Sequence, residues 1–256
     1  MRRDVEDCYG HAIADVVIGF ILVKEYAKRK NIEIDYYIFP TKKTYHRELA
    51  QILGIPQDKI ISTDNKRPIQ ASNLLVPSLP NDYEFVEYRK YLHTRPKYPI
   101  YFLSDFYNLL IPKKFSPKNK IFLRRPKESN RNIVNAEDVE DVFLDFGYQI
   151  VYPDQYSLIE QIEIFQQAKC IASMHGSGLD NVLFAHDEIY IFEIFSEFYH
   201  DSSPMNKCIS KKCHYYYMIG KTKDRSMHPQ QESVYVEIDR LRIALKVLEI
   251  AMKEEE

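Results

Sequence analysis

Two of the chain's seven glycines fall in one tetrapeptide, His175-Gly176-Ser177-Gly178. Upstream, Cys170-Ile171-Ala172-Ser173-Met174 is a short buried-strand pattern. Downstream, Leu179-Asp180-Asn181-Val182-Leu183-Phe184 begins a helical one. A Gly-x-Gly at a strand-to-helix junction lets the backbone turn sharply and lets another group approach closely. Amides at the start of the following helix suit an anion such as a pyrophosphate. By itself the tetrapeptide is equally a tight turn with nothing bound.

Its neighbours change that reading. Arg124 and Arg125 follow the strand Ile121 to Leu123, His175 and the glycines follow the strand ending at Met174, and Glu193 sits late in the strand Ile189 to Ile194. In a parallel sheet these ends share one rim. Two guanidinium groups, a helix start, a histidine and a carboxylate then converge. That set matches a nucleoside diphosphate: arginine for phosphate oxygens, amides for the pyrophosphate, a carboxylate for ribose hydroxyls. His175 bonds a phosphate or sugar hydroxyl in this reading, or serves the loop structurally. Arg131, in the polar loop Pro126 to Arg131, closes over the ligand or contacts Glu137. His11 and Asp15 stand four apart on one helix face. Asp15 is the expected general base, unless the two only pair with each other.

The elements that position these groups alternate between strand and helix. A helix from about Gly10 to Lys28 leads to a strand, Ile32 to Phe39, a short helix, Tyr45 to Leu53, and strands at Lys59 to Ser62 and Asn73 to Val76. Tyr98 to Leu110 is apolar and of undecided type. Pro112 to Lys120 is a linker. Beyond it, the strand at Ile121 is followed by a helix from the cap Asn135 to Asp145, stopped at Gly147. A strand, Tyr148 to Tyr152, and a helix, Ser157 to Gln167, come next, with Glu160 completing a capping box. After the glycine loop come a helix from about Gly178, the Ile189 strand, a strand, His214 to Ile219, and a long amphipathic helix over 237–254. Such alternation predicts parallel sheets with right-handed crossovers. Two sets across a linker predict two Rossmann-like domains, residues 1–115 and 116–256, facing a cleft.

Composition bounds the rest. The 256 residues are 45% apolar and 28% charged with a formal net charge of −2, which offers no footprint for nucleic acid. Twenty Tyr and 14 Phe with no Trp fill core and rim, and some of the tyrosines are candidates to stack on sugar rings. Cys8, Cys170, Cys208 and Cys213 form no Cys-x-x-Cys. Cys208, Cys213 and His214 do not have a standard zinc spacing. The charged start, Met1 to Asp7, leads into no apolar segment of signal-peptide type, and Ala12 to Val23 is too short to span a bilayer. The expectation is a cytoplasmic protein, with Lys28, Arg29 and Lys30 available for peripheral membrane association or simply solvated.

The residues Ile121-Phe122-Leu123-Arg124-Arg125, Arg131-Asn132-Ile133-Val134-Asn135-Ala136-Glu137, Gln161-Ile162-Glu163-Ile164-Phe165 with Ala168, the run from His175 to Phe184, and Glu193 within Ile191-Phe192-Glu193-Ile194-Phe195 resemble glycosyltransferase family 61. Toward the N-terminus the resemblance thins to Tyr9-Gly10-His11 with Asp15, and to Leu53-Gly54-Ile55. It implies a GT-B fold whose second domain binds a nucleotide-sugar, commonly a UDP-sugar, through Arg124, Arg125, Arg131, His175, Gly176, Ser177, Gly178, Asn181 and Glu193. The first domain would meet a glycan or lipid-linked glycan acceptor, with Asp15 and His11 as the catalytic pair, and the terminal helix would brace it. Transfer would be inverting. No Asp-x-Asp occurs, so no metal or other cofactor is expected. The family often has Ala at Ser177 and a small residue or Thr at Asp180, and Asp180 would put a negative charge near the phosphates unless it points outward. The alternatives are a polysaccharide pyruvyltransferase-like enzyme, though no arginine precedes His175 as is usual there, and a nucleotide-sugar-binding protein without turnover.

Overall fold

In a computed structural model, which describes residues 8–65, 68–77, 82–88, 91–97, 100–126, 129–222, 228 and 231–254, the second half of the chain is built on a six-stranded sheet. Its strands are β5 (Asn119–Leu123), β6 (Tyr148–Val151), β7 (Ala168–Met174), β8 (Tyr190–Ser196), β9 (His214–Thr222) and β10 (Val234–Tyr235), in the order β10-β9-β8-β7-β5-β6. All neighbours are parallel except β10 against β9. The register explains the sequence pattern. Phe122, Ala172 and Phe192 lie side by side across three strands and feed one core, while Ile121, Ile171 and Ile191 form the adjacent row and feed the opposite one. Strands covered on both faces need such continuous apolar runs.

Helices α4 (Ala136–Asp145) and α7 (Ile238–Glu254) cover the first face. The second face is covered by α5 (Leu158–Gln167), a 3-10 helix (Ser177–Phe184) and α6 (Ser203–Ser210). The expected α-helix after Gly178 is thus a 3-10 helix. Ser157 and Glu160 do form a capping box on α5. Asn135 does not cap α4: its amide instead donates to the Val236 carbonyl and accepts from the Val236 N–H, tying the helix start to the strand region beyond β9. Gly147, at φ 75°, ends α4 in the left-handed conformation that glycine allows.

The first half is less regular. A turn of α-helix (Tyr9–His11) passes through a π turn (Ala12–Val16) into α1 (Val17–Lys30). Asn31 closes α1 in the left-handed region after three cationic residues that suit its dipole. Of the expected strand from Ile32, only β1 (Tyr37–Phe39) forms, paired in parallel with β2 (Ile60–Ser62), and α2 (Thr44–Ile52) lies between them. Asn73 to Val76 is no strand; Leu74 and Val76 are exposed. β3 (Asp82–Tyr88) and β4 (Tyr91–Lys97) form an antiparallel hairpin followed by α3 (Ile100–Leu110). Met1 to Asp7, Tyr98, Lys127 and Glu128, for which the sequence carries expectations, lie outside the described residues.

The two halves share an apolar core. Ile13, Val17, Leu49 and Leu53 from the first pack with Leu158, Ile162 and Phe184 from the second. α7 does not supply the expected brace. Its buried face, Leu241, Leu245, Leu248 and Met252, belongs to the sheet core with Phe122 and Phe143, and Arg242 pairs with Asp145 of α4 at 2.8 Å. The periodicity that marked it as amphipathic could not say which core it covered. Among the described residues no helix is long and apolar enough to cross a membrane.

Candidate functional site

The sheet order places β5 and β7 side by side, although α4 leads from β5 to one face and α5 returns to β7 across the other. Such a reversal opens a crevice at the carboxyl ends of the two strands. A cleft of about 640 Å³ lies there, lined by Arg124 and Arg125 beyond β5, Ser173 and Met174 of β7, and Ser177 and Gly178 of the glycine turn. The opposite wall comes from the first half, through Tyr9, Tyr45 and Glu48.

The two adjacent arginines differ in role. Arg124 is buried, its Nε donating to Glu140 at 2.6 Å and its Nη1 to Asn132 at 3.2 Å. It is neutralised within the fold. Arg125 instead donates to two backbone carbonyls, those of Asn130 and His175. Arg131 stands over the Tyr199 ring, 5.8 Å from its centroid, and its buried Nε has no hydrogen-bond partner. Among the described residues neither Arg125 nor Arg131 pairs with a carboxylate. Burial, and secondarily the charge of Arg131, lower the Arg125 pKa to about 10. Two partly desolvated cations side by side hold a surplus of positive charge that an anion would relieve. Gly176 makes the arrangement fit: a Cβ there would fall 1.6 Å from an Arg125 guanidinium nitrogen.

His175 is buried between Phe195 and Tyr199, and its Nδ1 meets Glu193 at 2.6 Å. Glu193 is wholly buried and also accepts from the Tyr215 hydroxyl. Burial and that carboxylate raise the Tyr215 pKa, so it remains a donor. Glu193 therefore orients His175 inside the fold instead of presenting an oxygen to a ribose at the rim. Asn181 is also turned inward. It accepts from Tyr9 at 2.7 Å and donates to Gln161 at 2.9 Å, binding the first helical turn to the 3-10 helix.

His11 and Asp15 do form the hydrogen bond that their spacing predicts, Nδ1 to Oδ2 at 2.7 Å. Asp15 lies in the buried π turn with 5% of its side chain exposed, against 36% for His11. Neither lines the cleft, but Tyr9 does, and Gly10 packs directly on Ser177 and Asp180. Asp180 neither points outward nor charges the phosphate end. It is buried in an ion pair with Lys207 of α6, itself buried and also bonded to Ser203. Cys208 is buried, and His214 stacks on Tyr190 at 4.6 Å. Among the described residues no three His, Cys, Asp or Glu side chains are grouped to hold a metal ion.

The model of a known family, Glycosyltransferase 61, matches residues 9–192, well over half of the chain. The chain belongs to this family. It is a glycosyltransferase, with a sugar donor and an acceptor as its two substrates. The pyruvyltransferase-like alternative is thereby set aside. No curated protein matches the chain.

The matched span runs from Tyr9 at the cleft wall through the glycine turn of the transferase into β8. Sequence reasoning passed over Tyr45, Glu48, Tyr156 and Lys207, because nothing in α2, in the loop after β6 or in α6 has the spacing of a motif. Gly178 lines the cleft with open space beside it. A Cβ there meets nothing within 4 Å, so Gly178→Ala should change stability by no more than about 0.5 kcal/mol. If the sugar donor binds against this turn, the substitution should still weaken its binding about tenfold by occupying ligand space. A thermal melt beside a calorimetric titration checks both; unchanged affinity would show that no ligand reaches the turn.

Proposed function

We propose that this glycosyltransferase moves a sugar from a nucleoside-diphosphate sugar, with UDP as the nucleotide, to a glycan or lipid-linked glycan, with inversion and without a metal ion. The observation that carries the reading is Arg125, which lines the cleft at the strand-order reversal, with Arg131 near it over Tyr199, both cationic, partly desolvated and without a carboxylate among the described residues. A leaving diphosphate needs such stabilisation. The second half would hold the donor and the first would face the acceptor, as two lobes of GT-B type across the cleft.

In the transfer, the acceptor oxygen attacks the anomeric carbon as its bond to the diphosphate oxygen breaks, and the electron pair leaves with the diphosphate. The acceptor proton goes to a base. Asp15, the base expected from the sequence, is buried, so we assign that role to His11, the more exposed partner two residues from Tyr9 of the cleft wall, with Asp15 fixing its ring through Nδ1. His175 holds Arg125 through its backbone carbonyl.

Calorimetry with UDP in the presence of EDTA tests the reading. Saturable binding is expected, weakened about 10- to 100-fold by Arg125→Ala or Arg131→Ala, as for loss of a charged hydrogen bond. Equal affinity in both variants would remove the arginine clamp, and binding abolished by EDTA would remove the metal-free mechanism.

A further inference from the structure

The cleft is polarised. At the β7 side stand Arg125 and the glycine turn. At the other side, beyond the edge strand β6, stand Asp154 and Tyr156, faced by Tyr45 and Glu48 of α2. Glu48 is fixed in place, one carboxylate oxygen accepting from the Leu158 N–H at 2.9 Å at the start of α5. Tyr45 is set edge-on to Tyr9, with ring centroids 5.2 Å apart, and Tyr156 is 39% exposed. Arg124, which also lines the cleft, is already paired with Glu140. Two aromatic rings offer apolar faces, two carboxylates offer acceptors for hydroxyls, and among the described residues no cation lining this end is left to meet an acid.

We infer that this end of the cleft is the acceptor subsite and that it takes a neutral hexopyranose, excluding uronic and other acidic sugars. A sugar ring stacks its C–H face on tyrosine while its hydroxyls donate to the carboxylates. An acidic sugar would set like charges together in a cleft of lowered dielectric, a repulsion that discriminates between partners. The inference rests on the transferase reading of the cleft and deepens it, since it names the class of acceptor.

The test is an NMR titration of the whole chain with para-nitrophenyl β-D-glucoside and with its 6-carboxylate counterpart, para-nitrophenyl β-D-glucuronide, each with and without UDP. The glucoside should bind about tenfold more tightly than the glucuronide. Tyr156→Ala should weaken the glucoside about tenfold with melting temperature and UDP affinity unchanged, and Glu48→Gln should narrow the difference between the two sugars. Equal or tighter glucuronide binding, or no binding of either glycoside, overturns the inference. So does a Tyr156→Ala variant that loses UDP affinity, because the ring would then hold the nucleotide base. Failure of UDP alone to bind counts against the donor site, and the sugar preference is still read from the titrations without it.

Discussion

His11→Ala is expected to lower kcat by about two to four orders of magnitude, the range for removing a general base, while UDP affinity stays nearly unchanged. The argument begins with burial. Asp15 is enclosed in the π turn, whereas His11 keeps 36% of its side chain exposed two residues from Tyr9 of the cleft wall, so of the pair His11 is the one open to a hydroxyl. The hydrogen bond to Asp15 is the main cause of a raised His11 pKa; burial and Lys207 oppose it, and the Asp15 and Asp180 charges add to it. A base works only as the free imidazole, so the rate falls as pH drops through this pKa. Because the pKa is raised, the fall begins at a higher pH than for an unperturbed histidine. Asp15→Asn removes the principal cause of the rise, so the acid limb should move to lower pH, and kcat should drop less than in His11→Ala because the ring is misoriented but present. Initial rates across a pH series, with UDP titrations on the same preparations, decide the matter. Retention of more than about a tenth of wild-type kcat by His11→Ala would take the proton to another group.

The rim of this site was legible because strand ends are where a parallel sheet collects its loops. Once Ile121 to Leu123, the Cys170 run and Ile189 to Ile194 were recognised as adjacent buried strands, Arg124, Arg125 and His175 had to share an edge. The registers and the hydrogen bond from Arg125 to His175 place them there, whereas β8 runs on to Ser196 and leaves Glu193 in mid-strand. What each side chain does there was not legible. Arg124 and Arg125 are neighbours of one type, yet the first is consumed by Glu140 and the second reaches across Gly176. That difference depends on α4, which presents Glu140 to one arginine only. Glu193 and Asn181 were placed correctly in the chain but face inward, because Tyr215 and Tyr9 approach from distant elements. Asn73 to Val76 shows the opposite failure: apolar content alone suggested a strand, but a strand also needs a neighbour to pair with.

Lys207→Met should destabilise the fold by about 3–5 kcal/mol, the cost of stranding one charge of a buried pair, which lowers the melting temperature on the order of 10 °C in a chain of this size. Asp180 cannot easily relax. Its other carboxylate oxygen lies against the Gly10 backbone, where a Cβ would come within 2.1 Å, and the π turn that continues from Gly10 is buried in the core shared by the halves. Pairing with Lys207 therefore fixes both the 3-10 helix and the turn that carries His11. Removing both charges, in Asp180→Asn with Lys207→Met, should recover more than half of the loss, because a neutral amide can be buried beside a thioether at far lower cost than a lone carboxylate. The double variant should nevertheless keep a reduced kcat with UDP affinity close to wild type, since the turn bearing His11 is no longer held by the ion pair. Thermal melts of the three variants establish the coupling, and rates measured on the double variant separate stability from positioning. If the two single substitutions prove additive, the carboxylate and the ammonium are not partners in the folded state. If the double variant turns over at the wild-type rate, the pair stabilises the fold and has no part in placing the base.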